Sequence, residues 1–450
     1  MVRKIGIPLL FAMLLIAGCD SDSMDPVEMT DQFTVTIENV GSGFPVLKHG
    51  VFNTPEGAGN AGPLMPGGAY EFSFSAGPAI TPGSGTRLNF ATMFVQSNDL
   101  YYAFPAEGLS LYNADGSAVT GDVTSHLFLY DAGTEADQEP GVGSNQAPRQ
   151  PAPDTGGAGE GIVVRIADGA SDDGFSYPNK ADVIRVTLSH DGNTTFTVRV
   201  ENVSTATTLQ TSEGGKPAVL SPGTYAVYGE GFQFHEVGAA ASEGIEEIAE
   251  DGAPVTLNET LGTMAGVTVP LSPGAYAVHE AGFQLHAIGQ AANAGIEAIA
   301  EDGVPDAAVA LLEAADDVRD SGAFGPPPIA PGESFTFDIE AAPGDRLSFA
   351  TMFVQSNDLY YGFAPEGLAL FDASGMPISG DVTAQVALYD AGTEEDEEPG
   401  VGLNQVIRQA APDTGGPGEG AIVRIGNGGS DDGFTYRPNA EIIRVTITPR

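Results

Sequence analysis

The 450-residue chain contains one cysteine, no tryptophan and only 17 basic residues against 61 acidic ones. A single cysteine excludes an intrachain disulfide bond. The formal net charge of −44 disfavours binding to nucleic acid and to anionic lipid, and it favours cations. An acidic surface also serves solubility or salt tolerance, and the composition leaves both explanations open.

The motifs of nucleophilic and zinc catalysis are also missing. The sequence has no G-x-S-x-G, no P-loop and no H-E-x-x-H, and its six histidines do not follow zinc-ligand spacing. Paired carboxylates can cleave glycosides, but no marked aromatic cluster is available to form sugar subsites. We therefore expect a protein that is not an enzyme.

The N-terminal segment MVRKIGIPLLFAMLLIAGCDSD has the pattern of a secretory signal. Arg3 and Lys4 precede an apolar run that is too short for an ordinary membrane span. The ending Ile-Ala-Gly-Cys resembles the lipobox of bacterial lipoproteins. This resemblance implies a signal peptide over residues 1–18, an acylated Cys19 and a tether over 19–32. A plain secretory signal is the alternative. Either way the mature protein is expected outside the cytoplasm, and a lipid anchor would hold it in the cell envelope, facing the periplasm or the cell surface.

Most of the chain is a tandem duplication. The string FATMFVQSNDLYY occurs at Phe90–Tyr102 and again at Phe349–Tyr361, and about two thirds of the surrounding positions match without a gap. Related segments, FTVTIENV and FTVRVENV, begin the two copies. The repeat predicts two domains, over residues 33–190 and 194–450.

Each copy has the pattern of short β-strands. YEFSFSA and SFTFDIEA alternate apolar and polar residues, and Asp115-Gly116 suits a hairpin turn. Seven or eight such strands, separated by turn residues, predict a mainly β fold with two C2-like antiparallel β-sandwiches.

A smaller repeat lies within the second copy, at 231–252 and 282–303. Ile245, Ile248 and Ala249 follow helical spacing, with Gly252 at the position of a C-cap. Ser242 and Asn293 are candidate N-caps. We expect short helices packed on the second sandwich, and none on the first.

Three motifs resemble the N-terminal domain of the spondins, which are extracellular matrix proteins. They are FHEVGAAASEGIEEIAEDG, the Ser-Asn-Asp-Leu at 97–100 and 356–359 where the family has Ser-Pro-Asp-Trp, and YDAGTE at 130–135 and 389–394. The resemblance implies a C2-like sandwich that holds calcium in edge loops and acts in adhesion without catalysis. It also implies calcium ligands at Glu340, Asp358 and Asp390 in the second domain, and at Asp99 and Asp131 in the first. The first domain departs from the pattern, because Ser75 or a near neighbour stands where the glutamate belongs.

The carboxylates point to a cation on chemical grounds as well. Asp99 and Asp131 follow strands that are candidates to be neighbours, and two carboxylates brought together repel unless a cation or proton lies between them. Turn capping by each aspartate is the alternative. Further oxygens are available in the next loop, for which we favour a solvated acidic surface: Glu135, Asp137, Glu394 and Asp396.

These observations predict a calcium-binding lipoprotein of the bacterial cell envelope that binds a protein or glycan ligand at the cell surface. Two alternatives stay open. One is a glycan-acting hydrolase that uses the same paired carboxylates. The other is a structural envelope protein whose sandwiches associate with copies of themselves.

Overall fold

A computed structural model describes residues 30–78, 85–166, 174–426 and 433–450. The predicted signal peptide, Cys19 and nearly all of the tether lie outside the described residues. The predicted class is confirmed, because the chain is mainly β and its sheets are antiparallel. No helix in the described ranges is both long enough and apolar enough to cross a membrane.

Two units of matching construction make up the fold, and the first has three sheets. Its largest sheet has the strand order β2 (Val46–Phe52), β14 (Leu220–Tyr228), β4 (Arg87–Phe94), β5 (Leu100–Ala103), β8 (Phe128–Asp131) and β9 (Val164–Arg165), with β6 (Leu109–Ser110) beside β4. The smaller sheet of the first unit has the order β3 (Ala69–Ser75), β11 (Thr195–Asn202), β10 (Ile184–His190) and β7 (Gly121–Asp122). A hairpin joins β12 (Leu209–Thr211) to β13 (Gly214–Lys216).

The second unit repeats this plan without the hairpin. Its larger sheet has the order β16 (Val318–Phe324), β15 (Leu271–His279), β18 (Arg346–Phe353), β19 (Leu359–Gly362), β22 (Ala387–Asp390) and β23 (Val423–Arg424), with β20 (Leu368–Ala369) beside β18. Its smaller sheet has the order β17 (Ser334–Ala341), β1 (Asp31–Asn39), β24 (Ile443–Pro449) and β21 (Gly380–Asp381). Four 3-10 turns complete the two units, at Thr124–His126, Lys180–Asp182, Thr383–Gln385 and Asn439–Glu441.

The larger sheet of each unit is buried on both faces. In the first unit, Phe90 and Tyr102 pack against the smaller sheet, within the sandwich core. Tyr101 and Ala91, which alternate with them, pack under the helices on the opposite face. Each unit therefore has three layers, made of helices, the larger sheet and the smaller sheet.

Four short helices form the outer layers: α1 (Glu243–Asp251), α2 (Val255–Thr263), α3 (Ala294–Asp302) and α4 (Asp306–Glu313). The Ser242 side chain accepts from the backbone N–H of Ile245, and Asn293 caps α3 in the same way. Gly252 ends α1 at a φ of 66°, a left-handed conformation that glycine adopts without steric cost. The helix caps predicted from sequence are confirmed.

The units are not the two consecutive domains predicted from the repeat. Strand β1, at the start of the first copy, lies between β17 and β24 of the second unit. The related strand β11 lies between β3 and β10 of the first unit. The boundaries 33–190 and 194–450 are therefore wrong, because these strands complete sheets built from the other copy.

The prediction that the first domain lacks helices is also wrong. Ile245 and Leu257, from α1 and α2, pack on the first unit with Tyr101 and Tyr130. Helices α3 and α4 pack on the second unit. The duplicated helical segment therefore gives one pair of helices to each unit, and the first unit is a circular permutation of the second.

This arrangement predicts which unit depends on which N-terminal strand. Phe33 in β1 is fully buried and lies edge-on to Phe371, with ring centroids 5.6 Å apart. The Phe33→Ala substitution is expected to destabilise the second unit by about 3–5 kcal/mol. Hydrogen exchange measured by mass spectrometry should then rise in β22 and β24, with β8 and β10 unchanged.

The matched control is Phe196→Ala, because Phe196 holds the equivalent place in β11 and packs on Phe74 and Tyr112. This variant should loosen β8 and β10 of the first unit. Faster exchange in the first unit of the Phe33→Ala variant would contradict the strand assignment.

Candidate metal centre

A tight turn between β4 and β5 places Asp99 at one end of the first sandwich. The Ser97 hydroxyl donates to the Phe94 carbonyl at 2.6 Å and accepts from the Leu100 N–H at 3.0 Å. The Asn98 amide donates to the carbonyl of Ala136, in the next acidic loop, at 2.9 Å. The serine and the asparagine therefore fix the turn and the loop around Asp99.

Only one oxygen of the Asp99 carboxylate is used to hold that loop. Asp99 Oδ2 accepts the N–H groups of Thr134 and Glu135, both at 3.0 Å. Asp99 Oδ1 is buried and has no hydrogen-bond partner, in a residue with none of its surface exposed. A buried carboxylate oxygen without a partner is costly, so a ligand at this oxygen would stabilise the fold.

Asp131 stands next to Asp99 because their strands are neighbours. Leu100 in β5 pairs with Asp131 in β8. Asp131 Oδ1 accepts the N–H of Gly133 at 2.6 Å, and Gly133 has a φ of 67°. A Cβ on Gly133 would lie 2.2 Å from the carbonyl oxygen of Ile162, so the turn after Asp131 requires glycine.

The second unit repeats this geometry. Asp358 Oδ2 accepts from the N–H groups of Thr393 at 2.9 Å and Glu394 at 3.1 Å, and Asp358 Oδ1 is buried without a partner. Leu359 pairs with Asp390, and Asp390 Oδ1 accepts from Gly392 at 2.6 Å. Turn capping, the alternative for these aspartates, accounts for one oxygen of Asp358 and leaves the other unexplained.

A third carboxylate completes each cluster. In both clusters one carboxylate oxygen from each residue lies within 4.8 Å of the others: Asp99, Asp131 and Asp137 in the first unit, and Asp358, Asp390 and Asp396 in the second. Asp137 and Asp396 belong to the acidic loop for which the sequence favours a solvated surface. The signal for them was available, since TEADQEP and TEEDEEP keep aspartate at the same position.

The structure places the remaining predicted ligand elsewhere. Glu340 lies on β17, in the smaller sheet, where its exposed side chain accepts from the Gln32 amide at 3.0 Å. It is not among the carboxylates gathered around Asp358. Ser75, at the corresponding place in the first unit, pairs with Thr195 at the end of β3. Alternation along β17 buries Ile339 and Ala341 and leaves Glu340 on the exposed face of the smaller sheet, away from the clusters.

Burial dominates the electrostatics of both clusters. It raises the pKa of Asp99 to about 7, against the two backbone N–H bonds that lower it. Burial and then the charge of Asp99 raise the pKa of Asp131 to about 7. In the second unit the same causes raise the pKa of Asp390 to about 8, and burial raises that of Asp358. The carboxylates therefore ionise together only at a high energetic cost unless a cation is present.

The donor set fits a hard cation. All three donors in each cluster are carboxylates, and neither histidine nor cysteine takes part. Calcium and magnesium prefer oxygen ligands, whereas structural zinc sites use sulfur and nitrogen. Carboxylates from the facing loop add negative charge, because Glu160 acts on Asp131 and Glu419 acts on Asp390.

The tyrosines and histidines near the clusters are part of the packing. Tyr101 and Tyr360 are fully buried under the helices, so they offer no exposed surface to a partner. The Tyr101 hydroxyl lies 3.0 Å from Nδ1 of His235, and burial lowers the pKa of His235 to about 4. This histidine is therefore neutral near pH 7 and lies outside the acidic cluster.

Neither a scan of the sequence against protein-family models nor a search of curated proteins finds a match. The resemblance to the spondin N-terminal domain therefore stays a prediction.

The raised pKa values predict how the stability of the metal-free protein depends on pH. A carboxyl whose pKa is higher in the folded than in the unfolded state binds more protons when folded, so stability falls as pH rises from about 4 to about 8. Each pKa unit corresponds to about 1.4 kcal/mol. In EDTA, the free energy of unfolding measured by urea denaturation should be lower at pH 8 than at pH 5.

The control is the Asp99→Asn, Asp358→Asn double variant, because asparagine keeps the shape of the side chain and removes its titration. Other acidic groups contribute to both proteins, so the difference between their pH profiles isolates the two clusters. Parallel profiles for the variant and the wild type would contradict the assignment.

Proposed function

We propose that the protein is a calcium-binding, non-catalytic binding protein of the bacterial cell envelope, anchored through a lipid on Cys19. The observation that supports it most is the buried, unpartnered Oδ1 of Asp99 and of Asp358, in residues that each cluster with two further carboxylates. Three carboxylates in so small a volume repel one another unless a cation or protons lie between them, and calcium coordinates carboxylates readily.

In this proposal the ligands are Asp99, Asp131 and Asp137 in the first unit, and Asp358, Asp390 and Asp396 in the second. The ion would join the turn after β4 to the loop after β8. Bound calcium would hold these loops at one end of each sandwich in a single arrangement, so that a partner meets a preorganised surface.

The burial of the carboxylates favours binding over glycoside hydrolysis. A catalytic carboxylate must reach the scissile bond of a polysaccharide. Asp99 and Asp358 have none of their surface exposed, and Asp131 and Asp390 are 5% and 2% exposed. So little exposed surface leaves these groups inaccessible to a sugar ring.

The net charge of −44 supports a protein or glycan partner at the cell surface in preference to nucleic acid. A strongly acidic surface repels other polyanions, and it attracts partners with basic patches. Calcium would reduce the local repulsion at the sandwich ends and so assist the approach of an acidic glycan as well.

Calorimetric titration of the full chain with Ca²⁺ tests the metal assignment. The Asp358→Ala, Asp390→Ala variant removes two of the three proposed ligands of the second unit. We expect it to bind one ion fewer per chain than the wild type. Equal calcium uptake by the two proteins would contradict the site.

The matched control is Glu340→Ala, which separates the ligand set of the structure from the one that the family resemblance implies. Glu340 is exposed and hydrogen-bonded to Gln32, so its loss should leave the calcium stoichiometry and affinity unchanged. A tenfold weaker affinity in Glu340→Ala would show that the resemblance identified the ligands better than the fold does.

The lipid anchor is tested independently by metabolic labelling with a palmitate analogue in a bacterial host. Cys19 is the only cysteine, so label on the wild type and none on Cys19→Ser would support acylation there. The Cys19→Ser protein should also leave the membrane fraction. Unlabelled wild-type protein in the soluble fraction would contradict the anchor.

A further inference from the structure

We propose that each unit holds a second hard divalent cation, at a cluster formed between the first helix of its pair and an acidic loop that packs on that helix. One carboxylate oxygen from each of three residues lies within 4.8 Å of the others in both units: Asp154, Glu246 and Glu250 in the first, and Asp413, Glu297 and Glu301 in the second. This inference adds a site to the proposed calcium function, and its test is designed to be independent of the first site.

Two of the three carboxylates are neighbours because of helix geometry. Glu246 and Glu250 are four residues apart in α1, which places them on one face of the helix. Like charges at this spacing destabilise a helix. Glu250 is moreover only 2% exposed, and Glu301 in α3 is 3% exposed. A buried glutamate beside a second glutamate requires a compensating charge or a proton.

Within the described part of the chain, no lysine, arginine or histidine forms an ion pair with any member of the two clusters. Further negative charge is close, because the carboxylate of Glu135 acts on Glu250 and that of Glu394 acts on Glu301.

An independent observation comes from Glu135 and Glu394, each 2% exposed. The Glu394 Oε1 atom accepts the N–H of Gly415 at 2.7 Å, and Glu135 bonds Gly156 in the same way. The other oxygen of each, Oε2, is buried and has no hydrogen-bond partner. A Cβ on Gly156 would lie 2.2 Å from Glu135 Oε2, so this oxygen lies against the loop that carries Asp154.

The loop presents Asp154 in an uncommon backbone conformation. Asp154 has a φ of 57° and Asp413 a φ of 54°, and in the described ranges they are the only residues other than glycine with positive φ. Asparagine and aspartate tolerate this conformation better than other side chains do. Asparagine at these positions therefore removes the charge while it keeps the loop.

Within each unit, the cluster between helix and loop is separate from the cluster around Asp99 or Asp358, although the two are adjacent. Thr134 donates its N–H to Asp99, and its side chain is hydrogen-bonded to Glu250. Thr393 joins Asp358 to Glu301 in the second unit. Asp154 is exposed and Glu246 is half-buried, so the second cluster is open to solvent on one side. Water would complete the coordination shell there, and the ion would link the helix to the loop.

Native mass spectrometry and calorimetric titration of the full chain with Ca²⁺ alone test this proposal. The wild type should bind four ions. The Asp154→Asn, Asp413→Asn variant should bind two, or bind the second pair at least tenfold more weakly. Both aspartates are exposed, so this variant is expected to fold as the wild type does, and its hydrogen exchange in α1 and α3 without calcium serves as the check.

The reciprocal variant, Asp99→Asn with Asp358→Asn, keeps the second clusters and alters the first. Suppose that this reciprocal variant still binds two ions, and that the Asp154→Asn, Asp413→Asn variant loses two. The sites at Glu250 and Glu301 are then supported, whether or not the sites at Asp99 and Asp358 bind calcium. If the Asp154→Asn, Asp413→Asn variant binds calcium with the same stoichiometry and affinity as the wild type, the proposal is overturned. That result would indicate that Glu250 and Glu301 carry protons instead.

Discussion

The mutual repulsion of buried carboxylates is the constraint around which each unit is organised. Asp99 and Asp131 come from neighbouring strands, and the backbone of the next loop satisfies only one oxygen of Asp99. Serine, asparagine and glycine in the flanking turns hold these groups in place, although the carboxylates oppose the arrangement. Such local conflict persists where a bound ligand resolves it, and the proposed divalent ion would do so directly.

The same constraint is met twice in one chain, by units whose strands follow a different order. In the first unit, β11 and the helices follow most of the other strands along the chain. In the second unit the equivalent strand, β1, comes first, at the beginning of the described chain. Strand β1 lies between β17 and β24, so the two ends of the described chain meet in one sheet. In the proposed lipoprotein, β1 would directly follow the membrane tether and would also be an interior strand of the second unit, whose other strands come much later in the sequence.

Much of the fold and part of the site were predictable from local pattern. Alternation identified the strands, and Ser242, Asn293 and Gly252 identified the helix ends. The repeated Ser-Asn-Asp and Tyr-Asp-Ala-Gly motifs identified four of the six aspartates in the clusters around Asp99 and Asp358. Strand exchange was not predictable, because FTVTIENV and FTVRVENV have nearly the same pattern and either fits either sheet. Glu340 was assigned from the family resemblance, and alternation along β17, which buries Ile339 and Ala341, places it on the exposed face instead. Asp137 looked like one member of an acidic loop until the fold placed it beside Asp99.

Long-wavelength anomalous diffraction from crystals of the full chain grown with calcium tests the central claim most directly. We expect an anomalous peak about 2.3–2.6 Å from Oδ1 of Asp358 and from carboxylate oxygens of Asp390 and Asp396, with an equivalent peak in the first unit. No peak at these positions, together with a hydrogen bond between Asp358 Oδ1 and a protonated Asp390, would contradict it.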